Sequence, residues 1–151
     1  MKIETTRFGQ IRIQTDKIIN MPLGVPGFPD QRQFVILEHR QDSPFHWYQS
    51  VDEPALAFVI TDPFLFKPDY RVDIPKVLTE LGWDPDTQLD QLQLYVIVNI
   101  PKGRPDQMTA NLMGPILVNQ LTREAVQVVL TDGKYSHKIP LMTEEASNSP
   151  R

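Results

Sequence analysis

The feature that most constrains this chain is a series of short segments in which apolar and polar residues alternate. In residues 10–14, Ile11 and Ile13 would share one face of an extended chain, and the polar residues around them would share the other. Most of the fourteen prolines fall between such segments or at their ends, where a missing backbone donor disrupts no sheet. The pattern therefore predicts a protein built mainly from β-strands.

Further strands are predicted where short runs are rich in β-branched and aromatic residues. The runs are residues 34–37, 45–50, 56–60, 94–100, 116–118 and 126–130. Asp132 and Gly133 mark a turn after the last run, and residues 135–141 are predicted to return as its hairpin partner. These strands indicate an antiparallel barrel or sandwich in a single domain over residues 1–141, followed by a flexible polar tail at residues 142–151.

One short helix is predicted within this mostly β fold. Asp73 can cap its N-terminus, Pro75 suits its first turn, and Gly82 ends it. Its apolar face is formed by Val77, Leu78 and Leu81.

The charge distribution restricts the partners. The 151 residues carry a formal charge of −4, and residues 52–90 hold nine acidic side chains against three basic ones, a formal charge of −6. Negative charge repels the phosphate backbone, so the composition disfavours nucleic acid as a partner. Either this stretch is a solvated acidic surface, or it attracts a basic protein, which can raise association rates by roughly 10- to 10³-fold.

Several classes of chemistry have no support in the residues. The chain has no cysteine, which excludes disulfides, thiolate metal sites and cysteine nucleophiles. The histidines, His39, His46 and His137, lack metal-ligand spacing, and Gly24 and Gly27 lie in a proline-rich stretch typical of turns rather than of a phosphate loop. We therefore expect no enzyme activity, no catalytic or metal site and no cofactor.

The sequence also indicates a location. No apolar run approaches the ~18–20 residues that span a bilayer. The first fourteen residues lack the apolar stretch of a secretory signal peptide. We expect a cytoplasmic protein without membrane contact.

Aromatic residues are concentrated in one part of the chain. Nine of the thirteen fall within residues 28–70. On the segment 45–50, Phe45 and Trp47 point to one side and Tyr48 to the other, and Phe64 and Tyr70 lie among prolines and acids that block regular strand pairing. Some of these rings either pack beneath a loop or are exposed as anchors for a protein partner.

An ordered set of motifs resembles the bacterial flagellar assembly factor FliW family, from about residue 3 to residue 141. No single motif is specific, but their order is. They are Phe8-Gly9-x-Ile11, Leu23-Gly24-x-Pro26-Gly27-Phe28, Pro44-Phe45-x-Trp47-x-Gln49-Ser50, Pro54-Ala55-Leu56-Ala57-Phe58-Val59 with Asp62-Pro63 and Pro68-Asp69-Tyr70, Ile100-Pro101, Thr109-Ala110-Asn111-Leu112, Gly114-Pro115-Ile116 with Val118-Asn119, and Ala125-x-Gln127-Val128-Val129-Leu130.

The resemblance implies a compact β-barrel-like domain with two protein partners. One is flagellin, and the other is the carbon-storage regulator CsrA, a small dimeric RNA-binding repressor of flagellin translation. In the family, cytoplasmic flagellin occupies the assembly factor, and export of flagellin frees it to bind CsrA and relieve repression. An acidic chain suits a repressor that must carry a basic RNA-binding surface.

Two sets of residues are our hypothesis for the protein-binding site. The first set is acidic and would steer the basic regulator, and the second is aromatic and would supply apolar anchors. The acidic set is Asp62, Asp69, Asp73, Asp84 and Asp86, and the aromatic set is Phe45, Trp47, Phe64 and Tyr70.

Two other functions remain open at this point. A small-ligand-binding β-barrel would need a concave pocket with converging polar groups. An oligonucleotide-binding barrel would need a basic groove with stacking aromatics, whereas the aromatic stretch of this chain is acidic.

Overall fold

The computed structural model describes residues 1–38, 42–131 and 133–141, so the predicted tail, His39 and Asp132 lie outside the described part. The helix is α1 (Ile74–Leu81), and 3₁₀ turns occur at Thr15–Lys17, Pro63–Leu65, Leu89–Gln91 and Pro105–Gln107. The strands are β1 (Lys2–Thr5), β2 (Gly9–Arg12), β3 (Ile19–Asn20), β4 (Gln33–Glu38), β5 (Phe45–Ser50), β6 (Ala57–Thr61), β7 (Leu92–Asn99), β8 (Thr109–Ala110), β9 (Ile116–Asn119), β10 (Glu124–Gln127) and β11 (Ile139–Pro140).

Seven strands close into a barrel, which confirms the mostly β, barrel-like prediction. The order β7-β6-β5-β4-β3-β10-β9 returns to β7 through the β9–β7 pairing. These pairings are antiparallel except for β3–β10, which is parallel and joins only Asn20 to Glu124. β8 and β11 extend the sheet beyond β7, and β1 and β2 form a separate hairpin.

The barrel interior is filled by side chains. Phe34 of β4 and Tyr48 of β5 are fully buried there, with their rings stacked at 4.5 Å between centroids. Ile60, Ile116 and Val118 complete the same cluster from the facing strands. Inward residues alternate with outward ones along each strand, as closure of a small barrel requires.

Two elements cover the outside of the barrel. The β1–β2 hairpin brings Ile3, with Ile13 just beyond β2, against Val35 of β4. Helix α1 brings Val77 against β7, in a cluster that includes Leu94. Strands β4 and β7 are therefore apolar on both faces because each separates the interior from an outer layer.

Helix α1 forms as predicted. The Asp73 carboxylate accepts a hydrogen bond from Lys76 N at 3.2 Å, and Gly82 ends the helix in the left-handed region at φ +72°. Val77 and Leu78 are its buried side chains.

The predicted hairpin between residues 126–130 and 135–141 is wrong. Strand β10 ends at Gln127, and β11 pairs with β8 instead. Beyond Gln127 the chain bonds to the loop before β9, with Val128 N donating to Pro115 O at 2.8 Å and Leu130 N to Met113 O at 2.7 Å. Those bonds to the Pro115 loop direct the chain away from a tight return.

Candidate protein-binding site

The most exposed aromatic segment follows β6. The Asp62 carboxylate caps the 3₁₀ turn Pro63–Leu65 by accepting from Phe64 N at 2.9 Å. This turn leaves Phe64, Leu65 and Phe66 exposed by 41%, 61% and 37%. Because burial of such side chains is favourable, an exposed apolar cluster of this kind is typical of a contact surface.

Phe45 belongs to the same surface. Its ring stacks on Phe66 with 6.0 Å between centroids and 19° between planes. It connects the turn to the outer face of β5. We call Phe45, Phe64, Leu65 and Phe66 the aromatic patch.

Little net charge surrounds the aromatic patch. Asp69 is largely exposed, but its carboxylate lies 3.3 Å from Lys67 Nζ. One carboxylate oxygen of Asp62 accepts the hydrogen bond that caps the turn. Burial raises the pKa of Tyr95, and the negative charge of Asp62 raises it further by a smaller amount. The patch is therefore an apolar contact surface more than an electrostatic one.

Two of the four predicted aromatic anchors, Tyr70 and Trp47, lie outside the aromatic patch. Tyr70 is fully buried, and its hydroxyl donates to Leu112 O at 2.6 Å, so its ring belongs to the core rather than to a contact surface. Trp47 is half-buried on the outer face of β5 beneath the β1–β2 turn. The Arg7 guanidinium carbon lies 3.8 Å from the Trp47 ring centroid, and the Phe8 ring meets it edge-on.

The remaining predicted acids lie around helix α1 and the loop after it. Asp73 is the helix cap described above, and its carboxylate is exposed. The Asp84 carboxylate accepts from Asp86 N at 2.9 Å and so holds a tight turn. Asp84 and Asp86 line one wall of a groove of about 520 Å³.

The opposite wall of this groove was missed by the sequence analysis. It comes from the β9–β10 turn, which supplies Glu124 and Leu121, a side chain exposed by 75%. A second concavity of about 330 Å³ shares Trp83 and Glu124 with the first and adds Leu23, also exposed by 75%. The sequence could have indicated this wall, because Leu121 is an apolar residue in an otherwise polar turn.

The two concavities form one surface, which we call the acidic groove. Three carboxylates, those of Asp84, Asp86 and Glu124, border it, and two exposed leucines, Leu23 and Leu121, lie beside them. Neither ion pair found in the described residues involves these carboxylates. The groove can therefore attract a cationic surface and also bury apolar side chains against it.

No arrangement for catalysis is found in the described ranges. No three histidine, aspartate or glutamate side chains in residues 1–38, 42–131 and 133–141 converge as metal ligands. His46 lies on β5 with its ring edge-on to Tyr95, and His137 is exposed in the loop before β11. Over the same ranges, no helix has the length and apolar character needed to cross a bilayer.

Comparison with known proteins gives one consistent result. The family model described as "FliW protein" matches residues 2–141. The flagellar assembly factor FliW of Alkaliphilus metalliredigens (strain QYMF) is 40% identical over 146 residues, covering 95% of this chain and 88% of the relative. The FliW of Treponema denticola (strain ATCC 35405) is 37% identical over 144 residues, covering 95% of each chain.

A solved structure agrees with these relatives. It is described as the crystal structure of the flagellar assembly factor FliW. It superposes with a TM-score of 0.84 at 37% identity and covers 96% of this chain and 99% of its own.

Proposed function

Because this chain belongs to the FliW family, whose relatives are named flagellar assembly factors, we propose that it is a non-catalytic cytoplasmic assembly factor with two protein partners. One partner is flagellin. The other is the translational regulator CsrA, which the chain binds and antagonises when it is free of flagellin. Export of flagellin then relieves repression of flagellin synthesis without any cofactor.

The observation that carries this proposal is the acidic groove. A repressor that binds RNA must present cationic side chains, and the groove offers the uncompensated carboxylates of Asp84, Asp86 and Glu124. Leu121 beside them gives an apolar contact that would hold the partner after electrostatic attraction. We assign the acidic groove to CsrA, with the exposed Asp73 at the other end of α1 adding negative charge to the same acidic stretch. Asp69 is paired with Lys67 beside the aromatic patch and adds little.

The aromatic patch is better suited to flagellin. A filament subunit has apolar surface that becomes buried when it assembles, and a protein that holds the subunit beforehand must cover such surface. Phe64, Leu65 and Phe66 offer apolar area with little net charge. Tyr70 supports this region from beneath, with its ring centroid 5.9 Å from that of Phe64.

The two other functions fit the structure less well. Side chains such as Phe34 and Tyr48 fill the barrel interior, so a central ligand chamber of the small-ligand barrels is not present in the described residues. An oligonucleotide-binding barrel would stack bases on exposed rings beside cations. Here the exposed rings of the aromatic patch lie beside Asp62 and the Lys67–Asp69 pair.

Two variants with matched controls test the proposal by measured association with purified CsrA and purified flagellin. Asp84→Asn with Asp86→Asn removes two charges and keeps the side-chain acceptors, and should slow CsrA association several-fold at low salt, with the difference fading as salt screens it. Its control is Asp52→Asn with Glu53→Gln, which removes two exposed charges from the same acidic stretch outside the groove.

Leu65→Ser should weaken flagellin binding, while Val129→Ser, at the same 61% exposure, should not. Unchanged rates with CsrA, or equal losses in variant and control, would reject the assignment of surfaces. Failure of the unmodified chain to bind either protein at micromolar concentration would reject the function itself.

A further inference from the structure

The barrel wall is incomplete next to its shortest strand. Strand β3 pairs with β4 only at Ile19–Phe34 and Asn20–Gln33, and the chain before it turns away in the 3₁₀ turn Thr15–Lys17. Among the described residues, the part of β4 beyond Phe34 therefore has no strand partner on that edge. A cleft of about 510 Å³ lies at this point, and Ile36, Tyr95 and Val118, which face the barrel interior, contribute to its lining.

The cleft is cationic in a protein that is acidic overall. Arg12, Lys17 and Arg123 line it, and no acidic side chain from the described part of the chain does. Both ion pairs formed among the described residues, Lys67–Asp69 and Arg104–Asp106, lie elsewhere. Three positive charges without a carboxylate among them attract an anion.

Arg123 is held in place by its own backbone and side chain. Its φ is +60°, a left-handed conformation that is uncommon for a residue with a side chain. The backbone is fixed on both sides, with Arg123 N donating to Asn119 O at 2.8 Å and its carbonyl accepting from Asn20 N at 2.8 Å. The guanidinium is therefore presented at a defined position rather than left free in solvent.

The Arg123 side chain has donor capacity to spare. One terminal nitrogen donates to Lys17 O at 2.8 Å. Its Nε is buried and has no hydrogen-bond partner among the residues that the structure describes. A buried donor without an acceptor is unfavourable, so a ligand acceptor at this position would relieve a real deficit.

A second buried donor lies on β5, opposite a residue of the cleft wall. Tyr48 is fully buried and lies opposite Ile36 in the β4–β5 register, and no described residue bonds its hydroxyl. Burial raises the pKa of this hydroxyl, while the charge of Arg123 acts on it in the opposite direction. Neither Arg123 nor Tyr48 has all its hydrogen-bonding capacity used among the described residues.

The rest of the cleft surface mixes apolar side chains with the neutral polar side chains of Gln14, Gln120 and Tyr95. Ile13, Leu37 and Val118 are among its apolar lining residues. The volume is within the range of small-molecule sites, in which apolar surface supplies contact area and a few polar groups fix orientation. A planar guanidinium with free donors matches the geometry of a carboxylate.

We propose that this cleft is a binding site for an organic carboxylate with an apolar body, with Arg123 pairing the carboxylate and Arg12 and Lys17 at the entrance. Such a carboxylate is found on a small organic acid and at the C-terminus of a peptide. The cleft shares no lining residue with the aromatic patch or the acidic groove, although Arg123 directly precedes Glu124 of the groove in the chain. Its occupation does not depend on the proposed function. Failure of one proposal leaves the other standing.

Titration with N-acetylleucine, followed by amide chemical shifts of the full chain, tests the site directly. N-acetylleucine amide is the matched neutral probe, and inorganic phosphate is an anion without an apolar body. We expect N-acetylleucine to cause saturable chemical-shift changes around Arg123 and Ile36. The amide and inorganic phosphate should cause no such changes. Equal responses to acid and amide, or to acid and phosphate, would overturn the proposal.

Charge variants at the entrance give the second test. Arg12→Gln with Lys17→Gln changes two exposed side chains and should weaken N-acetylleucine binding about fivefold or more, since each unit charge at contact distance in water contributes about that factor. Lys76→Gln with Lys102→Gln removes two exposed charges elsewhere and should leave binding unchanged. Arg123→Lys keeps the charge and should still weaken binding because it loses the planar fork. Binding that is insensitive to all three changes would overturn the site.

The two sources of the carboxylate are separated by a peptide probe. A short leucine-terminated peptide with a free C-terminus is compared with its amidated form and with N-acetylleucine. Tighter binding of the free-acid peptide than of N-acetylleucine identifies a chain terminus as the ligand. Equal or weaker binding of the peptide identifies a small organic acid.

Discussion

Replacing either of two fully buried tyrosines, Tyr70 and Tyr48, by phenylalanine is expected to change the stability of the fold in opposite directions. The Tyr70 hydroxyl donates to Leu112 O at 2.6 Å, whereas the Tyr48 hydroxyl is buried with no partner in the described residues. A buried hydrogen bond contributes about 0.5–1.5 kcal/mol, and a buried group left without its partner costs about 1–3 kcal/mol. Tyr70→Phe removes the bond and leaves the Leu112 carbonyl unpaired, while Tyr48→Phe removes only the unpaired group.

We therefore expect Tyr70→Phe to lower the free energy of unfolding by about 1–3 kcal/mol and Tyr48→Phe to raise it by up to about 1–2 kcal/mol. Urea unfolding of each variant beside the unchanged chain measures both, and the slope with urea should stay constant because little surface changes. In a domain of this size, each kcal/mol corresponds to about 2–4 °C in Tm. A loss of 1 kcal/mol or more in Tyr48→Phe would refute the view that its hydroxyl is unsatisfied.

Tyr48 also makes the stability of the fold depend on pH. Burial raises the pKa of Tyr48 above that of an unfolded tyrosine, which is about 10. Above pH 10 the unfolded chain therefore releases a proton that the folded chain retains, so stability falls as pH rises, by up to about 1.4 kcal/mol per pH unit for this one group. Tyr48→Phe should reduce that slope, and an unchanged slope would contradict the argument.

Two further changes test local backbone requirements. Asp73→Ala removes the acceptor for Lys76 N at the start of α1 and should lower the free energy of unfolding by about 1 kcal/mol. Asp73→Asn keeps an acceptor and should lower it much less. Equal losses in the two variants would contradict the role of Asp73 as a helix cap. Gly24→Ala should cost more than 1 kcal/mol, because φ is +67° and an added Cβ would lie 2.8 Å from the Pro29 backbone, whereas Gly133→Ala, at φ +76° with open space around it, should be milder in the same urea measurement.

The parts of the fold that sequence predicted depend on local rules. The cap at Asp73 and the stop at Gly82 enclose α1 because both act on their own helix end. Strands β4, β6 and β7 were found because their residues combine β propensity with burial. Asp84 and Asp86 were part of the predicted acidic set because they lie in the acidic stretch of residues 52–90.

The parts that sequence did not predict depend on residues far apart in the chain. The parallel β3–β10 pair rests on one register match between Asn20 and Glu124, which leaves no periodic signal. Leu121 and Glu124 complete the acidic groove across from Asp84 only after the barrel has closed. Tyr70 looked exposed among prolines and acids, but its ring packs edge-on to Tyr135 at 4.7 Å in the core.

The closing pair of the barrel also determines when the chain can fold during synthesis. Asn20 of β3 can pair only once Glu124 of β10 has been synthesised. A nascent chain must therefore extend past residue 124 before the ring of strands can form. Until then the ribosome-bound chain exposes the inner faces of β4, β5 and β6, and pairing across such sequence distances is slow. Ribosome stalling before residue 124 should therefore leave an open, protease-sensitive sheet, with protection gained only after the last barrel strand has emerged.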